Sequence, residues 1–119
     1  MPNTTQAVLQ RHLQAAAESV DAVMADYLEA SVWITPTATH RGLVAIRAFF
    51  TELLEGRTKG FLGTFKMTRQ EVVGELAYIV WEAEPWFAFA TDTILVRDGK
   101  IVLQTFAGHT TGGNARAAV

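Results

Sequence analysis

The chain predicts an α+β fold: a curved, mostly antiparallel sheet whose concave face is covered by helices, making a cone-shaped α+β barrel. Three observations predict it. Between Leu9 and Leu54 apolar side chains recur mainly at spacings of three and four, the helical period. From Thr64 to Thr111 the repeat changes to two, the period of strands, so helices come first and a long meander follows. Within the meander, Asp92 is the one charged side chain on a strand face otherwise made of Ala88, Ala90, Ile94 and Val96. A carboxylate in that setting is costly unless it is hydrogen-bonded, protonated or facing a cavity, and the small alanines leave room for one.

The elements follow in order. Leu9, Leu13, Ala16, Val20, Val23, Met24 and Tyr27 form one apolar stripe. Glu18-Ser19 interrupts it, with Ser19 placed to cap a second short helix running through Leu28. Ser31 to Thr35 reads as a short strand stopped by Pro36, and Thr37 to Arg41 as a second. Gly42 opens a helix with the stripe Leu43, Ile46, Phe49, Phe50, Leu53 and Leu54, and Gly56 stops it. Strands are expected at Thr64 to Val73, Ala77 to Glu84, Phe87 to Arg97 and Lys100 to Thr111, with Asp98-Gly99 turning between the last two.

The 119 residues are half hydrophobic and 18% charged, the composition of one globular domain. That domain is expected over residues 1–111, with the Gly- and Ala-rich stretch 112–119 as a flexible tail. A net charge of −2 supplies no basic footprint for nucleic acid or an anionic membrane. No apolar run reaches the length of a membrane span, and the polar start carries no signal-peptide pattern, so a cytoplasmic protein is expected. The absence of cysteine excludes disulfides and thiol catalysis. His12, His40 and His109 lack metal-ligand spacing, and no nucleotide loop is present, so no metal or cofactor is expected.

Several stretches carry a family resemblance: Asp26-Tyr27-Leu28-Glu29-Ala30-Ser31-Val32, Thr35-Pro36, Arg41-Gly42 leading into Ala45 to Phe50, Thr91-Asp92-Thr93, and Arg97 to Ile101. In that order they resemble the nuclear transport factor 2-like superfamily, which includes ketosteroid isomerases and SnoaL-like polyketide cyclases. The resemblance puts Asp92 where ketosteroid isomerases keep the acid that donates to the substrate oxyanion. It puts Thr35 where their catalytic base, an Asp before Pro, stands, and Arg11 or His12 near their helix-one tyrosine. Base and phenol are thus both missing from those places, and steroid isomerisation by the familiar mechanism is not expected.

The candidate catalytic residues are Asp92, as acid or hydrogen-bond donor, and His12, which would form an acid/base dyad with Asp92 if it points into the cone. Related dehydratases of this fold resemble that arrangement. Trp33, Thr35, Trp81, Gln104 and Phe106 are the candidate substrate-binding residues. For Trp33 and Trp81 the alternative is core filling, and for Thr35 it is a backbone bond. Gln104 and Phe106 depend on one turn. A two-residue Asp98-Gly99 hairpin puts Thr105 beside Asp92; a three-residue loop with a bulge at Gly99 puts Gln104 and Phe106 there. The resemblance favours the second.

On the opposite face, Phe87, Phe89, Leu95, Leu103 and Ala107, with Tyr78 and Val80, form an apolar patch that suggests a homodimer through the sheet backs. Two functions follow as expectations. One is a small-molecule pocket protein with cofactor-free acid/base chemistry, an isomerase, cyclase or dehydratase acting on an apolar carbonyl or cyclic compound. The other is a non-catalytic dimeric binding or association module, with Asp92 tied to protein groups.

Overall fold

A computed structural model of the chain describes residues 4–56 and 58–110. Thr4 accepts a hydrogen bond from the Ala7 amide and starts α1 (Thr5–Glu18). Ser19 then adopts an extended backbone that ends α1, and its hydroxyl accepts from the Ala22 amide to start α2 (Val20–Met24). The second helix is shorter than its apolar stripe suggests. Tyr27 leaves it and begins β1 (Tyr27–Ile34), because the final strand offers a competing partner: Ile101 donates its amide to the Asp26 carbonyl at 2.8 Å. β1 bulges between Tyr27 and Val32, where buried Ser31 accepts from the Leu28 amide and donates to the Ile101 carbonyl.

After β2 (Thr39–Arg41) and α3 (Gly42–Glu55), a 3-10 turn (Phe61–Thr64) leads into β3 (Lys66–Val73). It takes in Thr64, which the alternating pattern had assigned to the strand. β4 (Leu76–Ala83), β5 (Phe87–Arg97) and β6 (Lys100–Thr110) complete the meander. The expected tail, 112–119, lies outside the described residues.

One sheet holds all six strands in the order β2-β1-β6-β5-β4-β3, with β1 and β6 parallel and every other pair antiparallel. It is open, with β2 and β3 at its edges, rather than closed into a barrel. Its concave face presents Ala77, Ile79, Trp81, Ala90, Ile94 and Phe106 to Val8 and Leu9 of α1 and to Ile46, Phe50 and Leu53 of α3, all buried.

Two irregularities decide what this face contains. Asp98 and Gly99 form a two-residue turn, both with positive φ (53° and 79°), the geometry in which Gly99 costs nothing. That turn alone would have sent Thr105 inward. Instead the register slips just after it: Val96 pairs with Ile101, but Leu95 pairs with Leu103, so Val102 is the extra residue. Gln104 and Phe106 therefore share the face of Asp92, through a bulge in β6 rather than a three-residue loop.

The second slip corrects the outer patch. β5 carries an extra residue between Phe87 and Phe89, seen against both neighbouring strands. Phe87 is turned inward and fully buried, in edge contact with Trp81, Phe61 and Phe106. Gly108 makes room for it, since a Cβ there would lie 3.0 Å from the Phe87 ring.

Candidate functional site

Asp92 stands mid-strand on β5, opposite Ile79 of β4 and Phe106 of β6. Its diagonal neighbours supply the polar groups. Trp81 pairs with Ala90, whose small side chain leaves the indole free to lean along the face, and Trp81 Nε1 donates to Asp92 Oδ1 at 2.8 Å. From β6, Gln104 Nε2 donates to Asp92 Oδ2, also at 2.8 Å. The Gln104 oxygen in turn accepts a hydrogen bond from the Tyr27 hydroxyl. Four residues from four strands thus form one buried chain, Tyr27 to Gln104 to Asp92 to Trp81. Burial pushes the Asp92 carboxyl above its ordinary pKa, with the two N–H donors and His12 pulling against it. The Tyr27 phenol is pushed well up by burial, reinforced by the nearby Asp92 and Asp26 charges.

A second polar cluster comes from α1. Its register places His12 on the buried side and Arg11 toward the rim. His12 Nδ1 lies 3.1 Å from Asp26 Oδ2, and Arg11 Nε donates to Asp26 Oδ1 at 2.9 Å. Arg11 Nη2 also donates to the Gly99 carbonyl, tying α1 to the β5–β6 turn. Burial raises the Asp26 pKa, but hydrogen bonds and charge from His12 and Arg11 outweigh it, and the net direction is downward. Asp26 is therefore ionised near neutrality and accepts a hydrogen bond from His12 Nδ1–H. In the neutral ring the lone pair is then on Nε2.

Between these clusters lies a cavity of about 70 Å³. α1 contributes His12, Leu13 and Ala16; β1 contributes Trp33; α3 contributes Phe50 and Leu53. Phe61, Leu62 and Phe65 close one side, and Ile79, Trp81, Asp92, Ile94, Gln104 and Phe106 form the sheet wall. A wider hollow of about 330 Å³ shares Ala16, Phe61 and Leu62 with it and carries Glu18, Ser19, Glu55 and Lys59. Among the described residues no three His, Cys, Asp or Glu side chains come together as a metal-ligand set.

Asp92, His12, Trp33, Trp81, Gln104 and Phe106 all line the cavity; Thr35 does not. Thr35 lies beyond the end of β1, its hydroxyl spent on the Ala38 carbonyl and amide of the following turn. His12 reaches the cavity but pairs with Asp26, not with Asp92. Trp33 is packed against Phe49 and Phe50, and its Nε1 is the one fully buried side-chain polar atom without a partner among the described residues.

Two residues were missed as site members. Asp26 sits at the helix-to-strand switch and enters the sequence reading only as part of the stretch that carries the family resemblance. Tyr27 looks like the last position of a helical stripe, yet it brings a phenol into the site from β1. A signal did exist: an Asp-Tyr pair where one period ends and another begins is a place where side chains can point into the gap between layers.

No protein-family model matches the chain, and no curated protein is significantly similar to it. Solved structures do match. An NTF2-like protein of unknown function from Burkholderia xenovorans superposes with a TM-score of 0.71 at 19% identity, covering 95% of this chain and 90% of that one. A SnoaL-like protein of unknown function from Burkholderia thailandensis gives 0.69 at 16% identity, covering 91% and 95%. A candidate polyketide cyclase from Sinorhizobium meliloti gives 0.69 at 16%, covering 83% and 92%. At these identities the likeness establishes the fold: the nuclear transport factor 2-like cone.

Proposed function

We propose that this chain, with its nuclear transport factor 2-like fold, is a small-molecule pocket protein whose side chains carry acid/base chemistry. The reaction class is an isomerisation, cyclisation or dehydration of a compact, largely apolar carbonyl or cyclic compound. The fold is shared with a candidate polyketide cyclase, which is consistent with that class but does not select it. The observation that carries the reading is His12, paired with Asp26, at the wall of a mostly apolar cavity that also presents Asp92 and Gln104. Asp26 engages Nδ1 and fixes the orientation of the ring, which leaves Nε2 as the base. Asp92, held by Trp81 and Gln104, is the polar anchor opposite.

The test is deuterium exchange at the carbon next to the carbonyl of small cyclic hydroxy ketones in heavy water. The native protein should catalyse it, and His12→Gln should slow it by roughly a hundredfold or more. Equal rates in the two proteins would remove His12 as the base.

A second reading has its own support. Both Asp92 oxygens are already satisfied by protein groups, as in a scaffold that binds or associates without turnover. The outer sheet face exposes Phe89 (54%) and Leu103 (38%). With Leu95, Ala107, Tyr78 and Val80 on the same side, we propose that this face pairs two copies of the chain.

A further inference from the structure

We infer that the cavity is built for a ligand that brings hydrogen-bond donors, a cyclic alcohol or hydroxy ketone rather than a simple ketone; this rests on the pocket reading above. The argument is an inventory of protons. Trp81 Nε1–H is spent on Asp92, and the Tyr27 hydroxyl proton is spent on the Gln104 oxygen. Because Gln104 must turn its oxygen to Tyr27, it turns its nitrogen to Asp92 and spends one amide hydrogen there. Trp33 Nε1–H is sealed in the core, without contact to open space. One Gln104 amide hydrogen is what remains to offer an incoming acceptor.

Acceptor capacity is larger. Asp92 receives N–H groups on both oxygens, the arrangement of a carboxylate, and each oxygen keeps a second lone pair. His12 has committed Nδ1 to Asp26, and in the neutral ring Nε2 then carries the other lone pair of the wall. A hydroxyl facing Asp92 or His12 therefore finds a partner, whereas a lone carbonyl oxygen would face the lone pairs of both. A site of this kind discriminates because a ligand without a donor displaces solvent from His12 Nε2 and from the second lone pairs of Asp92 and puts no hydrogen bond in its place.

Cyclopentanol and cyclopentanone are a matched pair for the test, nearly equal in size and differing in the donor. Binding is followed by NMR through the Trp81 indole N–H, which reports the wall directly. Cyclopentanol should bind roughly tenfold more tightly, the worth of one hydrogen bond. In Asp92→Asn, which exchanges an acceptor for a donor, that preference should vanish or reverse. Equal or tighter binding of the ketone by the native protein would overturn the inference and leave the pocket reading standing. If neither compound shifts the Trp81 signal while the protein remains folded, the pocket reading fails, and the donor inference falls with it.

Discussion

His12 Nδ1 lies 3.1 Å from Asp26 Oδ2, although one belongs to the first helix and the other to the connection that leads into the first strand. The contact makes a buried imidazole and a buried carboxylate mutually tolerable, and Arg11 completes it from the rim. Replacing Asp26 by Asn should cost about 1.5–3 kcal/mol near neutrality, the range for hydrogen bonds to a charged group. The native Asp26 pKa is lowered, so this stabilisation is present above the ordinary carboxylate range and is lost as pH falls through the lowered value. Urea unfolding of both proteins at about pH 6 and about pH 2 checks it: the difference should shrink at the acid end.

Asp92 should behave in the opposite way. Its native pKa is raised by burial, so its charge costs stability above that value, and the cost is absent below the ordinary range. Asp92→Asn should therefore gain on the native protein as pH rises from about 3 to about 7. Turning the Gln104 amide over lets it accept from the new Asn nitrogen but takes the acceptor from the Tyr27 hydroxyl, a cost that is the same at every pH in this range. If the native protein gains on the variant over that range, the burial account of Asp92 is incorrect.

The Tyr27–Gln104 link should show coupling. Gln104→Leu strands the Tyr27 hydroxyl and one Asp92 oxygen, at about 1–3 kcal/mol for each stranded group. Tyr27→Phe alone leaves only the Gln104 oxygen without its donor. The double variant should cost less than the sum of the two, because it contains neither the Tyr27 hydroxyl nor the Gln104 oxygen and leaves only the Asp92 oxygen unpaired. Additive costs in a chemical-denaturation cycle would mean the two side chains do not share a hydrogen bond.

Gly108→Ala should destabilise by about 1–3 kcal/mol, the usual range for overpacking. Its Cβ would stand 3.0 Å from Phe87 and 3.1 Å from Phe106, both rigid rings in the core. Adding Phe87→Leu should recover part of the loss, measured by thermal unfolding. Without that recovery, the strain lies somewhere other than the Phe87 contact.

The outer-face pairing is open to sedimentation. Phe89→Lys should convert a dimer to monomers with little change in fold, since Phe89 is more than half exposed in the isolated chain. A native protein that sediments as a monomer would remove the proposal.

Much of this site could be read from local pattern. Asp92 stood out because period-two alternation put it among alanines and branched aliphatics, and that face is indeed buried. Trp81 was legible for the same reason, sharing a face with Ala77, Ile79 and Ala83. Gln104 and Phe106 were expected on the correct side through an incorrect device: the turn is the tight two-residue kind, and a bulge at Val102 restores the facing. Phe87 shows the limit. Strict alternation sends it outward with Phe89, and a single extra residue in β5 reverses it.

What the amino-acid order settled by itself was the succession of helices and strands, the apolar faces of β4 and β5, and the anomaly of one acid among small side chains. These are properties of neighbours along the chain, set by 3.6- and two-residue repeats. Which residues meet was decided in three dimensions. Tyr27 and Gln104 are 77 positions apart, and their contact exists because β1 lies parallel beside β6. His12 meets Asp26 because the break at Ser19 turns α2 and the connection after it back against α1. Bulges and strand pairing leave little trace in local periodicity, since their energy is repaid by partners far away in sequence.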